Sequence, residues 1–238
     1  MNEQIKQKFC QELGEEQVLF EEPMKRHTTF RIGGPAEVFV MPRTIEEIQK
    51  TLEICRREKL SYFILGNGSN LLVSDQGYKG VIIQMDRNME QITVEGTEIR
   101  AAAGALLSSI AVAARRASLT GFEFAGGIPG TLGGAVVMNA GAYGGEMKDV
   151  LKDVTVMTGE GEVRVIPAAK LEMGYRTSII KKPAIWYLGR QFLLRRETWK
   201  KSRHSRENSV RSVLQNSRLS FRVQEARSSV RKDTLPVS

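Results

Sequence analysis

The apolar positions of the chain follow a helical period in two stretches. Residues 44–59 carry one apolar face at helical spacing, made of Ile45, Ile48, Leu52 and Cys55. Thr44 and Glu47 form a candidate capping box at the start of this stretch, because each side chain can satisfy a free backbone N–H of the first turn. Residues 106–117 carry a second apolar face. The pattern therefore predicts two helices.

Shorter apolar runs that are bounded by glycine and small polar residues predict strands. They lie at residues 62–65, 81–85, 91–94, 98–102, 150–158 and 162–166. A further strand-like run over residues 30–41 is interrupted at Gly33 and Gly34. We therefore expect a body in which strands and helices alternate and glycine-rich turns connect them.

The composition changes at about residue 181. Of the 22 glycines, 21 precede this position. Residues 181–238 hold fifteen Lys and Arg against four Asp and Glu, a net charge of +11, so the first 180 residues carry −3 of the total of +8. Residues 183–238 mix Ser and Arg with few apolar anchors, and we expect them to fold poorly. Few aromatic side chains accompany the basic charge, so nucleic-acid binding is not expected.

Other features of the composition narrow the class of protein. Because no run of about eighteen apolar residues occurs, no transmembrane helix is expected. Residues 1–26 predict a polar helix or extension, which lacks the apolar stretch of a secretory signal. Cys10 and Cys55 lie far apart and without metal-ligand spacing, which is typical of reduced thiols. We expect a cytoplasmic protein that has no metal site and no membrane anchor.

A first glycine-rich motif follows the predicted strand over residues 62–65. Its candidate cofactor-binding residues are Gly66, Asn67, Gly68, Ser69, Asn70 and Leu71. Glycine lets backbone N–H groups approach an anion without a Cβ in the way, and the side chains of Ser69 and Asn70 add donors. The motif suits a pyrophosphate but differs from the Rossmann fingerprint, because Leu71 replaces the third glycine. The alternative is a tight turn that binds no ligand.

A second glycine-rich motif covers residues 124–145. Its central candidates are Ile128, Pro129, Gly130, Thr131, Gly133, Gly134 and Ala135. Pro129 favours a rigid turn, and the small residues that follow permit close packing of the backbone on a flat ligand. The alternative is a long flexible loop. The apolar residues Leu132, Val136 and Val137 argue against that alternative, because flexible loops are rich in Ser and Asp instead.

Two shorter motifs carry candidate polar chemistry. Tyr175 and Arg176 lie in a Gly-Tyr-Arg-Thr-Ser run, in which the arginine can hold a carboxylate in bidentate fashion and polarise a developing enolate. The alternative for Arg176 is an ordinary surface arginine. His27 opens the run over residues 27–36. It is interpreted as a polar turn residue, because no Ser or Asp partner is placed to make it a base.

In this order and spacing, the four motifs resemble the UDP-N-acetylenolpyruvoylglucosamine reductase (MurB) family over residues 27–182. The matching runs are T-T-F-R-I-G-G-P-A, G-N-G-S-N-L-L, A-G-G-I-P-G-T-L-G-G-A, M-N-A-G-A-Y-G-G-E and Y-R-T-S. The resemblance implies an α+β, PCMH-type (vanillyl-alcohol-oxidase-like) domain. Its two lobes, at about residues 27–100 and 101–182, would hold FAD non-covalently between them.

The same resemblance implies roles for single residues. Residues 66–71 would bind the pyrophosphate, and residues 128–135 with Asn139 would line the flavin and its phosphates. Arg176 would stabilise the enol form of the enolpyruvyl carboxylate, and Tyr175 would lie beside the substrate or the nicotinamide. In this family NADPH reduces the flavin, which reduces UDP-N-acetylglucosamine enolpyruvate to UDP-N-acetylmuramate for peptidoglycan synthesis.

The chain departs from the family after residue 182. The family's G-S-T-F motif, whose Ser protonates the α-carbon, does not occur, so the substrate domain is missing and activity is expected to be impaired or lost. Codons allowed for residues 222–237, read in a shifted frame, can encode G-A-G-S-T-F-K-R-P-E-G-Y-F-A-G. From residue 183 the same shift can give G-Y-L-V-L-G-A-T. We therefore interpret residues 183–238 as an out-of-frame translation.

Two functions from other classes remain open on the sequence alone. The first is another PCMH-type FAD oxidoreductase, many of which attach FAD covalently through His or Cys. Neither His27, His204 nor either cysteine lies within a glycine-rich motif, which weakens that alternative. The second is a non-enzymatic fragment that binds flavin or nucleic acid. The charge of the tail is the only support for nucleic-acid binding.

Overall fold

The computed structural model describes residues 1–85, 89–181, 185–193 and 195–196, with the backbone alone described from residue 181 onward. Its α-helices are α1 (Glu3–Leu13), α2 (Ile45–Arg57), α3 (Leu107–Arg116), α4 (Leu132–Val137) and α5 (Met147–Val150). Its strands are β1 (Val18–Pro23), β2 (Pro35–Val40), β3 (Tyr62–Leu65), β4 (Tyr78–Gln84), β5 (Ile92–Glu95), β6 (Glu98–Ala102), β7 (Leu119–Thr120), β8 (Gly141–Ala142), β9 (Gly145–Glu146), β10 (Leu151–Thr158), β11 (Val163–Pro167), β12 (Ile185–Leu193) and β13 (Arg195–Arg196).

The first sheet contains four strands in the order β1-β2-β4-β3. The strand pairs β2–β4 and β3–β4 are parallel, whereas β1 runs antiparallel to β2. Val38 and Val81 belong to the main core cluster, whereas Phe39 and Ile82 belong to a smaller second cluster. Because successive side chains of a strand point to opposite faces, the central strands of this sheet are buried on both sides.

Helix α2 confirms the predicted helix and its apolar face. Ile48, Leu52 and Cys55 are buried. The Thr44 hydroxyl accepts a hydrogen bond from the Glu47 N–H at 3.2 Å, as an N-cap requires. The predicted capping box is not completed, because the Glu47 carboxylate accepts from the N–H of Arg43 at 2.6 Å and not from that of Thr44. The Glu47 carboxylate therefore binds the N–H of the residue that precedes the N-cap.

The second sheet contains five strands in the order β11-β10-β12-β6-β5, and all of its neighbours are antiparallel. Its buried residues include Ile99 and Val154, which share the main core cluster with Leu107 and Ile110 of α3. α3 confirms the helix predicted over residues 106–117. Two sheets with flanking helices confirm the two-lobed α+β architecture that the sequence predicts.

The short helix α4 lies inside the second glycine-rich motif, where the sequence predicts no helix. Two glycines in a helix of six residues are unfavourable, because glycine costs about 1 kcal/mol relative to alanine at each position. Tertiary hydrogen bonds offset this cost. The N–H groups of Leu132 and Gly133 donate to the carbonyls of Ala105 and Ala103, each at 2.8 Å. The start of α4 is therefore anchored on the segment that leads into α3.

Three segment boundaries differ from those expected from the sequence. β1 lies within residues 1–26 and pairs with β2, so the first sheet begins before residue 27. β5 and β6 belong to the second sheet, so the change of sheet falls between Gln84 and Ile92 and not near residue 100. β12 occupies the middle of the second sheet, which therefore continues past residue 182. The remaining expectations for the tail, from residue 197 onward, lie outside the described residues.

Candidate functional site

The two glycine-rich motifs meet in space, although sixty residues separate them. The Ser69 hydroxyl donates a hydrogen bond of 2.7 Å to the carbonyl of Pro129. A Cβ at Gly66 would lie 2.3 Å from the Thr131 hydroxyl oxygen, so the backbone of the first motif lies directly against the second. The first motif follows β3 of the first sheet, and the second is anchored beside α3. The two motifs therefore form one site at the junction of the lobes.

Gly68 is required by the packing of the protein itself. Its φ is +60°, and a Cβ there would lie 1.9 Å from the carbonyl oxygen of His27. The Gly68 carbonyl accepts a hydrogen bond from the Thr29 N–H at 3.2 Å. The His27 ring stacks on Phe39 with centroids 4.1 Å apart, and its Nε2 lies 3.0 Å from a carboxylate oxygen of Glu22. His27 therefore supports the turn beneath the first motif, in keeping with its interpretation as a turn residue.

Gly127 and Gly134 are not required by the packing of the protein. A Cβ at Gly127 would meet no atom of the described residues within 4 Å, and one at Gly134 would meet only the Thr131 hydroxyl at 3.8 Å. Both glycines are exposed, and neither has a positive φ. In α4 a glycine at such a position destabilises the helix relative to alanine. Bare backbone with open space in front of it is what a closely approaching flat ligand requires.

Two backbone donors at the start of α4 are used within the protein, and two amide side chains of the first motif are exposed. The N–H groups of Leu132 and Gly133 are already bound to protein carbonyls. Asn67 and Asn70 are exposed beside Gly68. The assignment of residues 66–71 to a pyrophosphate, and of residues 128–135 to the flavin and its phosphates, stays a prediction.

Tyr175 and Arg176 form the tip of a tight turn. Gly174 and Thr177 close the turn with two backbone hydrogen bonds of 3.1 and 3.3 Å. Tyr175 is 90% exposed, and the Arg176 guanidinium lies 5.8 Å from the centroid of its ring. Both residues line a cavity of about 250 Å³, together with Tyr143. An exposed arginine at a cavity is available to a carboxylate ligand.

Asn139 joins this turn to the end of the second glycine-rich motif. It is buried and adopts a φ of +41°. Its amide nitrogen donates to the Gly174 carbonyl at 3.1 Å and to the Glu146 carboxylate at 2.8 Å, and its amide oxygen accepts from the Lys148 N–H at 3.0 Å. The sequence interpretation placed Asn139 against the flavin. In the structure its amide is bound to protein groups, and its placement against the flavin stays a prediction.

Glu146 is a residue of the site that sequence reasoning missed. Its carboxylate has a pKa below the ordinary value, because the Lys148 ammonium and then the Asn139 amide donate to it and Arg176 adds a favourable charge. Lys148 Nζ lies 2.8 Å from the carboxylate. Glu146 and Asp149 form a capping box around the start of α5. That Glu-x-x-Asp spacing was the signal available in the sequence.

The candidate residues thus fall into two groups joined by α4. The first group contains residues 66–71 and 128–131, and the second contains Asn139, Tyr175 and Arg176. Thr131 precedes α4 and Asn139 follows it, and Gly133, Gly134 and Ala135 lie within the helix. A helix of six residues is about 9 Å long. Gly134 is the exposed residue of the helix that separates the two groups along the chain.

A two-lobed α+β fold with glycine-rich loops at the junction defines a flavin-binding domain of the PCMH type, and comparison with known proteins agrees. The FAD binding domain family model matches residues 36–166, more than half of the chain. A UDP-N-acetylenolpyruvoylglucosamine reductase of Alkaliphilus metalliredigens (strain QYMF) is 52% identical over 180 residues, which cover 76% of this chain and 59% of that protein. The reductase of Clostridioides difficile (strain 630) is 48% identical over 170 residues, covering 71% and 56%.

Solved structures give the same result. MurB from Thermus caldophilus is 32% identical, with a TM-score of 0.68 over 82% of this chain and 68% of that chain. p-Cresol methylhydroxylase is 17% identical with a TM-score of 0.64, a likeness of fold alone. The chain therefore belongs to the FAD binding domain family and, within it, to the UDP-N-acetylenolpyruvoylglucosamine reductase (MurB) family. It spans less than two thirds of the length of the Alkaliphilus metalliredigens and Clostridioides difficile reductases.

Two general features of the described residues complete the site. No helix in residues 1–85, 89–181, 185–193 and 195–196 has the length and apolar character needed to span a membrane. Within that same part of the chain, no group of three or more His, Cys, Asp or Glu side chains is arranged to hold a metal ion.

Proposed function

We propose that this chain binds FAD non-covalently and is the flavin-binding part of an NADPH-dependent reductase. The reaction is the reduction of UDP-N-acetylglucosamine enolpyruvate to UDP-N-acetylmuramate in cytoplasmic peptidoglycan synthesis. One observation carries the proposal. Two glycine-rich loops from different lobes are joined by the Ser69–Pro129 hydrogen bond. Beside them, the exposed Gly127 and Gly134 leave room for a Cβ among the described residues.

The residues present fit FAD. Residues 66–71 would hold the pyrophosphate through backbone N–H groups and the exposed amides of Asn67 and Asn70. Gly127 and Gly134 would face the planar part of the cofactor. FAD, when bound, supplies a hydride carrier between NADPH and the substrate. Arg176 would bind the carboxylate of the enolpyruvyl group and stabilise the negative charge that develops there, with Tyr175 alongside.

Non-covalent attachment is favoured over covalent attachment by the positions of the described His and Cys side chains. His27 is partly buried between Phe39 and Glu22. Cys55 is buried in α2, and Cys10 lies in α1. None of these three lies among residues 66–71 or 128–135. This weakens the alternative of an FAD oxidoreductase that attaches its cofactor through one of these side chains.

The UDP-sugar substrate is proposed from the name of the relatives, and NADPH is proposed from the resemblance to their family. The aligned part of the chain covers 59% of the Alkaliphilus metalliredigens reductase, so binding of the whole substrate is proposed for a protein of the relatives' length. The part present holds the cofactor loops and Arg176. Flavin binding can therefore be tested on this chain independently of the complete reaction.

The test is to purify the 238-residue chain and measure its flavin content. We expect visible flavin absorbance, or its appearance after incubation with FAD, and release of intact FAD when the protein is denatured in acid. FMN and riboflavin serve as matched ligands, because FMN lacks the adenylate half of FAD and riboflavin lacks both phosphates as well. A folded protein that takes up no FAD would overturn the proposal. Flavin that stays attached after acid denaturation would support the covalent alternative instead.

A further inference from the structure

A buried amide holds the arginine-bearing turn in place. The Asn139 amide nitrogen contacts two acceptors, the backbone carbonyl of Gly174 and the carboxylate of Glu146. Gly174 begins the two-residue turn whose second residue is Arg176. The side chain of one buried residue therefore joins the cavity wall at Glu146 to the base of the turn that carries the arginine.

Arg176 needs such support because its backbone lies in an unfavourable region. Its φ is +55°, a left-handed conformation that costs free energy for a residue with a long side chain. Arg176 and its neighbour Tyr175 are exposed, so burial of their side chains does not hold the tip. The contacts at the base of the turn must then maintain its shape. Asn139 provides such a contact at Gly174 itself, whereas the Ser178 hydroxyl, which donates to the Val137 carbonyl at 3.0 Å, lies one residue beyond the turn.

The charges around Glu146 act on the side chain of Arg176. Glu146 lines the same cavity as Arg176, and the charge of Arg176 favours the ionised form of that carboxylate. Lys148 Nζ binds the carboxylate from one side, and the Asn139 amide binds it as well. Asp149 lies three residues after Glu146, where its carboxylate accepts from the Glu146 N–H at 2.8 Å. Glu146 is thus a held anion that faces the cavity in which Arg176 would meet its ligand.

We propose that Asn139 and Glu146 are positioning residues for Arg176: the Asn139 amide fixes the base of the turn, and the Glu146 carboxylate directs the guanidinium into the cavity. The role rests on the proposed function, because it concerns the arginine that would bind the substrate carboxylate. Asn139 acts through the turn and does not itself contact substrate. Glu146 acts as a counter-charge on the wall of the cavity that Arg176 also lines, with Lys148 as its ion-pair partner at 2.8 Å.

The experiment uses the 238-residue chain and three variants. Asn139→Asp keeps the size of the side chain and its acceptor for Lys148, but it places a carboxylate oxygen against the two acceptors Gly174 and Glu146. Glu146→Gln keeps an acceptor for the Asn139 amide and removes the charge. Ser178→Ala is the matched control, because it removes a different buried hydrogen bond one residue beyond the same turn.

Two measurements separate positioning from general stability. Hydrogen exchange over residues 171–180 reports on the turn, and the side-chain 15N–1H signal of Arg176, titrated with pyruvate as a small carboxylate probe, reports on the guanidinium. In Asn139→Asp we expect exchange at Gly174 and Thr177 to be about ten-fold faster and the pyruvate response to weaken by a similar factor. In Glu146→Gln the turn should keep its protection, while the Arg176 signal shifts and loses its dependence on acid pH.

The positioning role of Asn139 and Glu146 and the binding of a carboxylate by Arg176 can each fail without the other. The positioning role is overturned if Asn139→Asp leaves both exchange and the Arg176 signal unchanged, or if Ser178→Ala reproduces its full effect on the Arg176 signal. If the parent chain shows no response to pyruvate, the assignment of Arg176 to a carboxylate fails. Exchange in the variants would still decide whether Asn139 holds the turn. Should Asn139→Asp fail to fold, Glu146→Gln still tests the counter-charge through the Arg176 signal.

Discussion

The hydroxyl of Ser69 donates a hydrogen bond of 2.7 Å to the carbonyl of Pro129, and this contact joins loops from the two lobes. We predict that Ser69→Ala lowers the free energy of unfolding by about 1 kcal/mol, because a partly exposed hydrogen bond is lost. FAD affinity should fall about three- to ten-fold, because the two loops that form the cradle are no longer tied together. Chemical unfolding and fluorescence titration with FAD measure the two effects.

Ser74→Ala is the control for this comparison. The Ser74 hydroxyl accepts a hydrogen bond from the Gln76 N–H at 3.2 Å, within an exposed turn that follows the same loop. We expect a similar or smaller loss of stability and unchanged FAD affinity. Equal FAD affinity in Ser69→Ala and the parent chain would show that the cradle does not depend on the contact between the loops.

Gly134→Ala gives a sharper test of the cradle, because stability and ligand binding should change in opposite directions. Alanine in the first turn of α4 should raise the free energy of unfolding by up to about 1 kcal/mol. The added methyl group would meet only the Thr131 hydroxyl, at an ordinary contact distance of 3.8 Å. FAD affinity should nevertheless fall about ten-fold or more, because the methyl group would occupy space needed by the ligand.

Two further variants serve as comparisons for Gly134→Ala. Ser109→Ala, at an exposed position of α3, should also stabilise its helix but leave FAD affinity unchanged. Gly68→Ala should destabilise the protein itself, because a Cβ there would lie 1.9 Å from the His27 carbonyl and the φ of +60° is strained for alanine. An unchanged FAD affinity in Gly134→Ala would remove α4 from the ligand surface.

The sequence predicted the elements whose signals are local. Thr44 and the apolar face that follows it lie within a few turns of one another, so the start and the buried side of α2 could be predicted from spacing alone. α4 could not be predicted this way, because its two glycines oppose a helix and its stability comes from the carbonyls of Ala103 and Ala105. Propensity is overridden there by contacts that lie about thirty residues away in sequence.

In the candidate site, too, local features could be predicted from the sequence, and contacts between distant residues could not. Residues 66–71 and Arg176 could be proposed from residue type and from family resemblance. The role of Asn139 could not, because its partner Gly174 is distant in sequence and the partnership exists only after folding. β5 was predicted as a strand but its sheet was not, and β1 and β12 were not predicted as strands. An apolar run indicates a strand, but the identity of its sheet depends on strand pairing.

The two cysteines should differ strongly in reactivity. Burial raises the pKa of the Cys55 thiol from 9.0 to about 12, so this side chain stays protonated at neutral pH. The pKa of Cys10 is also raised, by desolvation and then by Glu15 and Glu3, but its side chain is partly exposed. We expect iodoacetamide to modify Cys10 first and Cys55 only after unfolding. Mass spectrometry of peptides after timed labelling measures both rates.

The same shift predicts how stability changes in alkaline solution. A thiol whose pKa is higher in the folded state than in the unfolded state contributes stability that is fully present below the unfolded value of about 9. That contribution is lost as the pH rises from about 9 towards 12. Cys55→Ala should therefore reduce the alkaline loss of stability relative to the parent. An identical pH profile between about 8 and 11 in urea unfolding would refute the link to Cys55.

The last prediction concerns turnover. The 238-residue chain by itself should show little or no NADPH oxidation that depends on UDP-N-acetylglucosamine enolpyruvate. The G-S-T-F run that would supply a proton to the substrate is absent from its sequence, and a general acid typically contributes about a hundred- to ten-thousand-fold. Slow NADPH oxidation without substrate can persist, because the cofactor loops and Arg176 lie in the part that is present.

A protein with a changed reading frame after Lys182 tests whether residues 183–238 are the reason for the loss of turnover. Changing the reading frame near Lys182, so that the residues after it follow the relatives, should restore substrate-dependent oxidation while residues 1–182 stay the same. The nucleotide sequence around codon 182 shows directly whether such a shift is encoded. Both proteins would be assayed with NADPH, with and without the enolpyruvate substrate, at equal FAD content. Equal substrate-dependent rates would mean that residues 183–238 replace the missing domain, because the two proteins differ in nothing else.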